Sequence, residues 1–146
     1  MFFKHTVIIT AFTTLLTSYI LAETKSIDLD KLSGNWHLRV MDGMEVRKAR
    51  AILDFDTEKM KLSGFDSCNR IGGALQKNSD TNITVPMIMA TRMACRGNIH
   101  NWVSKRLHET LKEGFSVTED KKNGVKGITI KSPSHELFFK KMGKEN

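Results

Sequence analysis

Apolar and polar residues alternate with a period of two over much of this chain, and each alternating run is short. After Ser33-Gly34-Asn35, Trp36, Leu38 and Val40 point one way and His37, Arg39 and Met41 the other, which predicts a half-buried strand over Trp36–Met41. Asp42-Gly43 is a turn signal. A second strand is predicted over Arg50–Asp56 with Ala51, Leu53 and Phe55 inward, and a third begins at Met60 with Leu62 and Gly64 inward. Gly64, Gly72 and Gly73 suggest bends or close backbone approaches, as a sheet that curves on itself needs. Ala74–Gln76 reads as a short strand and Lys77–Asn82 as a polar turn. Ile83 and Val85 resume a strand that Pro86 stops.

The period changes to 3.6 only once. Ile99, Trp102, Val103, Leu107 and Leu111 form one apolar side of a helix over Asn98–Glu113, with Asn98 as N-cap and Gly114 as its stop. The other side carries Asn101, Ser104, Lys105, His108 and Lys112 and is read as a wet face. Beyond it the pattern is β again: Phe115–Glu119, a turn at Asp120–Gly124 whose Asn123-Gly124 pair is a strong hairpin signal, then Gly127–Lys131 and Glu136–Lys141 around Ser132-Pro133-Ser134. The expected fold is mainly β with one α-helix, with seven or eight short strands and no internal repeat.

The N-terminus adds a compartment. Lys4 and His5 precede Thr6–Ala22, a stretch without charge, which fits a signal peptide over residues 1–22. Cleavage after Ala22 removes 22 of 146 residues and leaves 124, enough for one core. Residues 23–33 read as a polar lead-in and 34–142 as one domain. No Cys lies near the cut, so a lipid-modified N-terminus is not available, and a periplasmic or secreted protein is expected; the competing reading is a retained anchor. The formal charge of +7 falls to +6 with Lys4; dispersed, solvated surface charge is the plainer reading, and an anionic envelope component or another envelope protein is the partner it would otherwise suit. The basic residues are dispersed and not interleaved with aromatics, which argues against nucleic acid. A monomer is expected.

The chain has two cysteines, Cys68 in Gly64–Gly73 and Cys95 at the end of Thr84–Cys95. In an exported chain two cysteines most often pair, and a Cys68–Cys95 crosslink is expected to organise the fold. A thioredoxin-type redox site lacks its CxxC, and a thiol nucleophile lacks a base placed by the sequence. Other candidates have bland readings. Asp54 and Asp56 share a face and fit acid–base work or a cation, but solvent-facing and turn carboxylates look the same. Met87, Met89 and Met93 fit a soft metal and, beside Ile88 and Val85, fit core filling better. His100 and His108 lie on roughly one side of the helix without a third ligand, and His37 and His135 add no metal spacing. The Asn82-Ile83-Thr84 triplet matches a glycosylation acceptor and is read as accidental. No cofactor or metal is implied.

Ser63-Gly64, Cys68-Asn69-Arg70, Gly72 or Gly73 and Thr91-Arg92-Met93-Ala94-Cys95 resemble the META domain of HslJ-like bacterial proteins. Gly34-Asn35-Trp36 resembles its first strand and Ile128–Lys140 its last hairpin. The resemblance implies an antiparallel barrel-like fold with one packed helix, and an exported or envelope-attached protein. Heat-shock response, drug resistance and, in a trypanosomatid branch, virulence are the settings it brings. It implies no catalytic mechanism. The chain departs from the family where an acid often stands near the helix start and Trp102 or Val103 stands here.

The leading functional expectation is a non-enzymatic envelope protein that binds or protects, with Cys68, Asn69, Arg70, Thr91, Arg92 and Cys95 mainly structural. Arg92 is the candidate exposed contact, since Arg can hold a carboxylate or phosphate with two bonds; packing across the sheet is its alternative. A small-ligand carrier with a pocket inside the barrel is the second reading. An enzyme using Asp54, Asp56 or a His is last, because no nucleophile–base–orienter set can be drawn.

Overall fold

The computed structural model describes residues 26–143. The expected leader over residues 1–22 lies outside them. The lead-in is not a loose arm. Asp28 caps a helical turn, α1 (Leu29–Leu32), by accepting from the amides of Asp30 and Lys31. Ile27 and Leu32 enter the core, and the Trp36 indole donates to the Leu32 carbonyl at 2.7 Å.

The strands are β1 (Gly34–Met41), β2 (Met44–Glu45), β3 (Ile52–Asp56), β4 (Lys61–Phe65), β5 (Arg70–Ala74), β6 (Gln76–Ser79), β7 (Asn82–Thr84), β8 (Met89–Ala90), β9 (Ser116–Lys122), β10 (Val125–Lys131) and β11 (Glu136–Lys141). One antiparallel sheet runs in the order β8-β5-β4-β3-β1-β11-β10-β9, with β2 paired to β1, and β6 and β7 form a separate hairpin. The helix α2 (Asn98–Glu113) has the span the periodicity predicts, and Gly97 rather than Asn98 precedes it as the cap.

The sheet is curved and open, not a closed barrel. An isolated bridge ties the separate β6–β7 hairpin to the residue ahead of β9, where Ile83 of β7 and Phe115 exchange amide–carbonyl bonds of 2.9 and 2.8 Å. The inward face is filled. Leu38, Leu53, Phe55, Val103, Leu107, Leu111, Phe115, Ile130 and Phe139 are all essentially inaccessible and belong to one apolar cluster. The space a carrier would need inside the sheet is therefore occupied by side chains.

Local departures from the predicted pattern have local causes. In β1 the alternation slips: Leu38 pairs with Phe139 but Val40 with Phe138, so Arg39 is an extra residue. A bulge inverts the phase after it, and Met41 is buried where Val40 was expected. The predicted strand at Ala74–Gln76 is instead the junction of β5 and β6, and the predicted turn at Lys77–Asn82 shrinks to Asp80-Thr81. The β9 strand runs on to Lys122, so the turn is Asn123-Gly124 alone, both at positive φ. At Gly64 a Cβ would stand 2.1 Å from the Ile52 carbonyl oxygen across the β3–β4 ladder, a close approach only glycine permits.

The methionines overturn their core-filling assignment. Met87, Met89 and Met93 are 77, 69 and 51% exposed. Past Pro86 the chain crosses the sheet edge with a two-residue strand, which has a partner on one side only; Ile88 alone packs against the core.

Candidate functional site

The β4–β5 connection, Asp66–Asn69, is built around one carboxylate. Asp66 is 1% exposed, and its Oδ1 accepts from the amides of Cys68 (2.8 Å) and Asn69 (2.6 Å), as an Asx turn does. Its Oδ2 accepts from Ser104 Oγ at 3.0 Å and lies 2.6 Å from His108 Nε2. Burial, the largest influence, pushes the carboxyl pKa up, but bonds from His108, Asn69, Cys68 and Ser104 together hold it below the usual carboxylate range. The helix face read as wet is thus half engaged: Ser104 and His108 dock α2 onto this turn. Beside it, Ser67 is 2% exposed at φ 87°, and its Oγ lies 2.8 Å from His100 Nδ1. His100 and His108 therefore have different partners and do not converge.

The crosslink joins this turn to the chain past the sheet edge. Cys68 and Cys95 are bonded, with their Cα atoms 4.5 Å apart; Cys68 is buried and Cys95 exposed. Asn69 and Thr91 add hydrogen bonds to the covalent link. Asn69 Oδ1 accepts from the Met93 amide at 2.6 Å and from Thr91 Oγ1 at 3.2 Å. The Arg70 amide donates to Thr91 Oγ1 at 3.1 Å, and the Thr91 amide to the Arg70 carbonyl at 3.0 Å. Of the predicted site residues, Cys68, Asn69, Thr91 and Cys95 together form this clamp, with Arg70 contributing its backbone.

The clamp holds one wall of a cleft of about 590 Å³. Arg50, Arg70 and Arg96 line it, with Ile52, Phe65 and Met93 between them, and no acidic residue takes part. Arg50 reaches the cleft from the left-handed residue that ends a short 3₁₀ turn, Arg47–Ala49. Among the described residues none of the three forms an ion pair. Arg92, the predicted contact, is exposed but is not part of the cleft wall. Sequence reasoning missed Arg50 and Arg96, which lie far apart along the chain, and Asp66, whose signal was present: an Asp just ahead of Cys68-Asn69.

The other sequence candidates lie elsewhere. Asp56 caps its turn by accepting from the Lys59 amide at 3.0 Å, and Asp54 sits on β3 opposite Asn35 and Ser63. His135 bridges Asp42 (2.8 Å) and Glu109 (2.6 Å) at the far end of α2. His37 stands on the outer side of β1, where burial and then the neighbouring Arg39 lower its pKa. No helix among the described residues is long and apolar enough to cross a membrane.

A family model, the META domain, matches residues 28–142, starting six residues ahead of the Gly34 boundary expected from the sequence. Two solved structures share the fold. One, an NMR structure of a protein, is 26% identical with a TM-score of 0.62, over 78% of this chain and 94% of that one. The other, an NMR structure of a protein from Burkholderia xenovorans, is 19% identical with a TM-score of 0.59, over 80% and 87%. No curated protein matches.

Proposed function

The chain belongs to the META domain family, and from that premise we propose that it is an exported, non-enzymatic protein that works by binding an anionic component of the cell envelope. The observation that carries this reading is the cleft beside the Cys68–Cys95 link, where three arginines face one space with no acid to neutralise them. Exposed guanidiniums that line one cleft without a carboxylate partner are open to a carboxylate or phosphate, which they can hold with paired hydrogen bonds. Export rests on the uncharged N-terminal run, and the stress-tolerance setting on the family resemblance. An enzyme reading gains nothing from the geometry. Ser67 has a histidine beside it, but the hydroxyl is buried, and among the described residues no third side chain hydrogen-bonds the ring.

Mass spectrometry of the native protein recovered from fractionated cells tests the proposal. The expected result is an N-terminus at Glu23, no free thiol, and an anionic species that co-purifies with the protein and is lost from an Arg70→Gln/Arg96→Gln variant. Recovery from the cytosol with Met1 in place would overturn it.

A further inference from the structure

We infer that the cleft takes single molecules of an amphiphilic anion, a phosphate or carboxylate head on an apolar body, rather than a bare anion or an extended polyanion. The inference rests on the binding reading above and names the ligand of that site. The volume is the first argument. About 590 Å³ is far more than an inorganic anion needs and lies in the range of roughly 300–1,000 Å³ that drug-sized ligands fill.

The lining is the second. Arg50, Arg70 and Arg96 supply planar donors that grip carboxylate or phosphate oxygens in pairs. Ile52, Phe65 and Met93 supply apolar surface in the same space, and the Cys68 sulfur, already in the disulfide, adds no charge. A bare phosphate would leave that apolar surface wet, and a neutral amphiphile would leave three guanidiniums without a partner. A cation is disfavoured outright, since the wall has no acid.

The third argument is rigidity. The wall carrying Met93 and Arg96 is fixed to the Arg70 wall by the disulfide and by the Asn69 and Thr91 bonds, so the site exists before its ligand arrives.

Calorimetric titration of the oxidised protein, starting after residue 22, tests this with octyl phosphate, inorganic phosphate and octyl glucoside, and with vesicles containing phosphatidylglycerol. Octyl phosphate is expected to bind at least about tenfold tighter than inorganic phosphate or octyl glucoside. Arg70→Gln and Arg96→Gln together are expected to weaken it by about tenfold or more, as loss of charged hydrogen bonds does. These side chains are exposed, and an unchanged melting temperature confirms that the variant folds. Equal binding of octyl phosphate and inorganic phosphate overturns the amphiphile, and so does octyl phosphate binding that ignores both substitutions. Vesicle binding without octyl phosphate binding also overturns it, while leaving the broader anion-binding reading in place; binding of none of the probes removes both.

Discussion

Asp66 shows how much one side chain can decide. Its carboxylate closes its own turn, docks α2 through Ser104 and His108, and so sets where Cys68 and Asn69 stand. Asp66→Asn keeps the shape but turns an acceptor into a donor facing Ser104 and His108. Urea unfolding is expected to show a loss of about 3 kcal/mol, typical for breaking a buried charged network; a loss within error would mean the turn holds without it. Because its folded pKa is depressed, the stability it contributes is present above about 3.8 and is lost as pH falls below that value. His135 works in the opposite direction. Burial, the largest influence, lowers its pKa, but the bonds to Glu109 and Asp42 and their charges outweigh it and the net shift is upward. Both ring nitrogens face carboxylates, and only the protonated ring donates to both. With Arg106 also 3.7 Å from Asp42, this cluster ties the β1–β2 turn, α2 and the β10–β11 turn together. Its contribution is full below the unfolded value of 6.5 and fades as pH rises through the higher folded value. The melting temperature of the parent protein, measured against His135→Gln, should therefore lose its advantage as pH rises above about 6.5. A constant difference between the two would rule out titration of His135. The local half of the Asp66 network, its bonds to the Cys68 and Asn69 amides, left a signal in the sequence; its links to α2 and the His135 cluster did not, because those partners are 26 to 93 residues apart along the chain.

Elements were more legible than contacts. Alternation located β1, β3, β4, β10 and β11, and Asn123-Gly124 located its hairpin, since both signals are local. The misread places were those where a neighbour overrides the local pattern: the Arg39 bulge and the methionines carried over the sheet edge. The Cys68–Cys95 link was readable from two cysteines in a chain expected to be exported, but its neighbourhood was not, because Arg50 arrives from a different element. The link closes 27 residues, which by loop entropy constrains the unfolded chain by about 3.5 kcal/mol. Cys68→Ser under oxidising conditions is expected to lower the melting temperature by on the order of 10 °C. Gly64→Ala probes the β3–β4 ladder instead, where a methyl group has no room against the Ile52 carbonyl. It should cost about 1–3 kcal/mol as overpacking does, and an unperturbed denaturation midpoint would show that the strands part easily there.

The whole molecule is organised by a pairing between its two ends. The first strand, β1, lies between β3 and β11, and the last, β11, lies between β1 and β10. Trp36 opposite Lys141 and Met41 opposite Leu137 are therefore contacts across almost the full described chain, placed in the middle of the sheet. Remove β11 and the sheet divides into a β8–β1 part and a β9–β10 pair, with Leu137 and Phe139 gone from the shared core. Among the described residues no other strand pairing joins those parts, and the Ile83–Phe115 bridge ties the β9 side only to the separate β6–β7 hairpin. A chain ending at His135 is accordingly expected to lose cooperative unfolding altogether, with the indole of Trp36, now buried, exposed to quencher. In the intact protein the same topology is expected to make the β1 and β11 amides the slowest to exchange with solvent, because they sit at the centre of the sheet. It also makes folding slow for the size, in the millisecond-to-second range of β proteins, since the chain must close its longest loop before the central ladder forms. Amide exchange decides the matter directly: if the β3–β5 amides outlast those of β1 and β11, the stable unit is the half of the sheet around the disulfide, and the terminal pairing is an addition to it rather than its keystone.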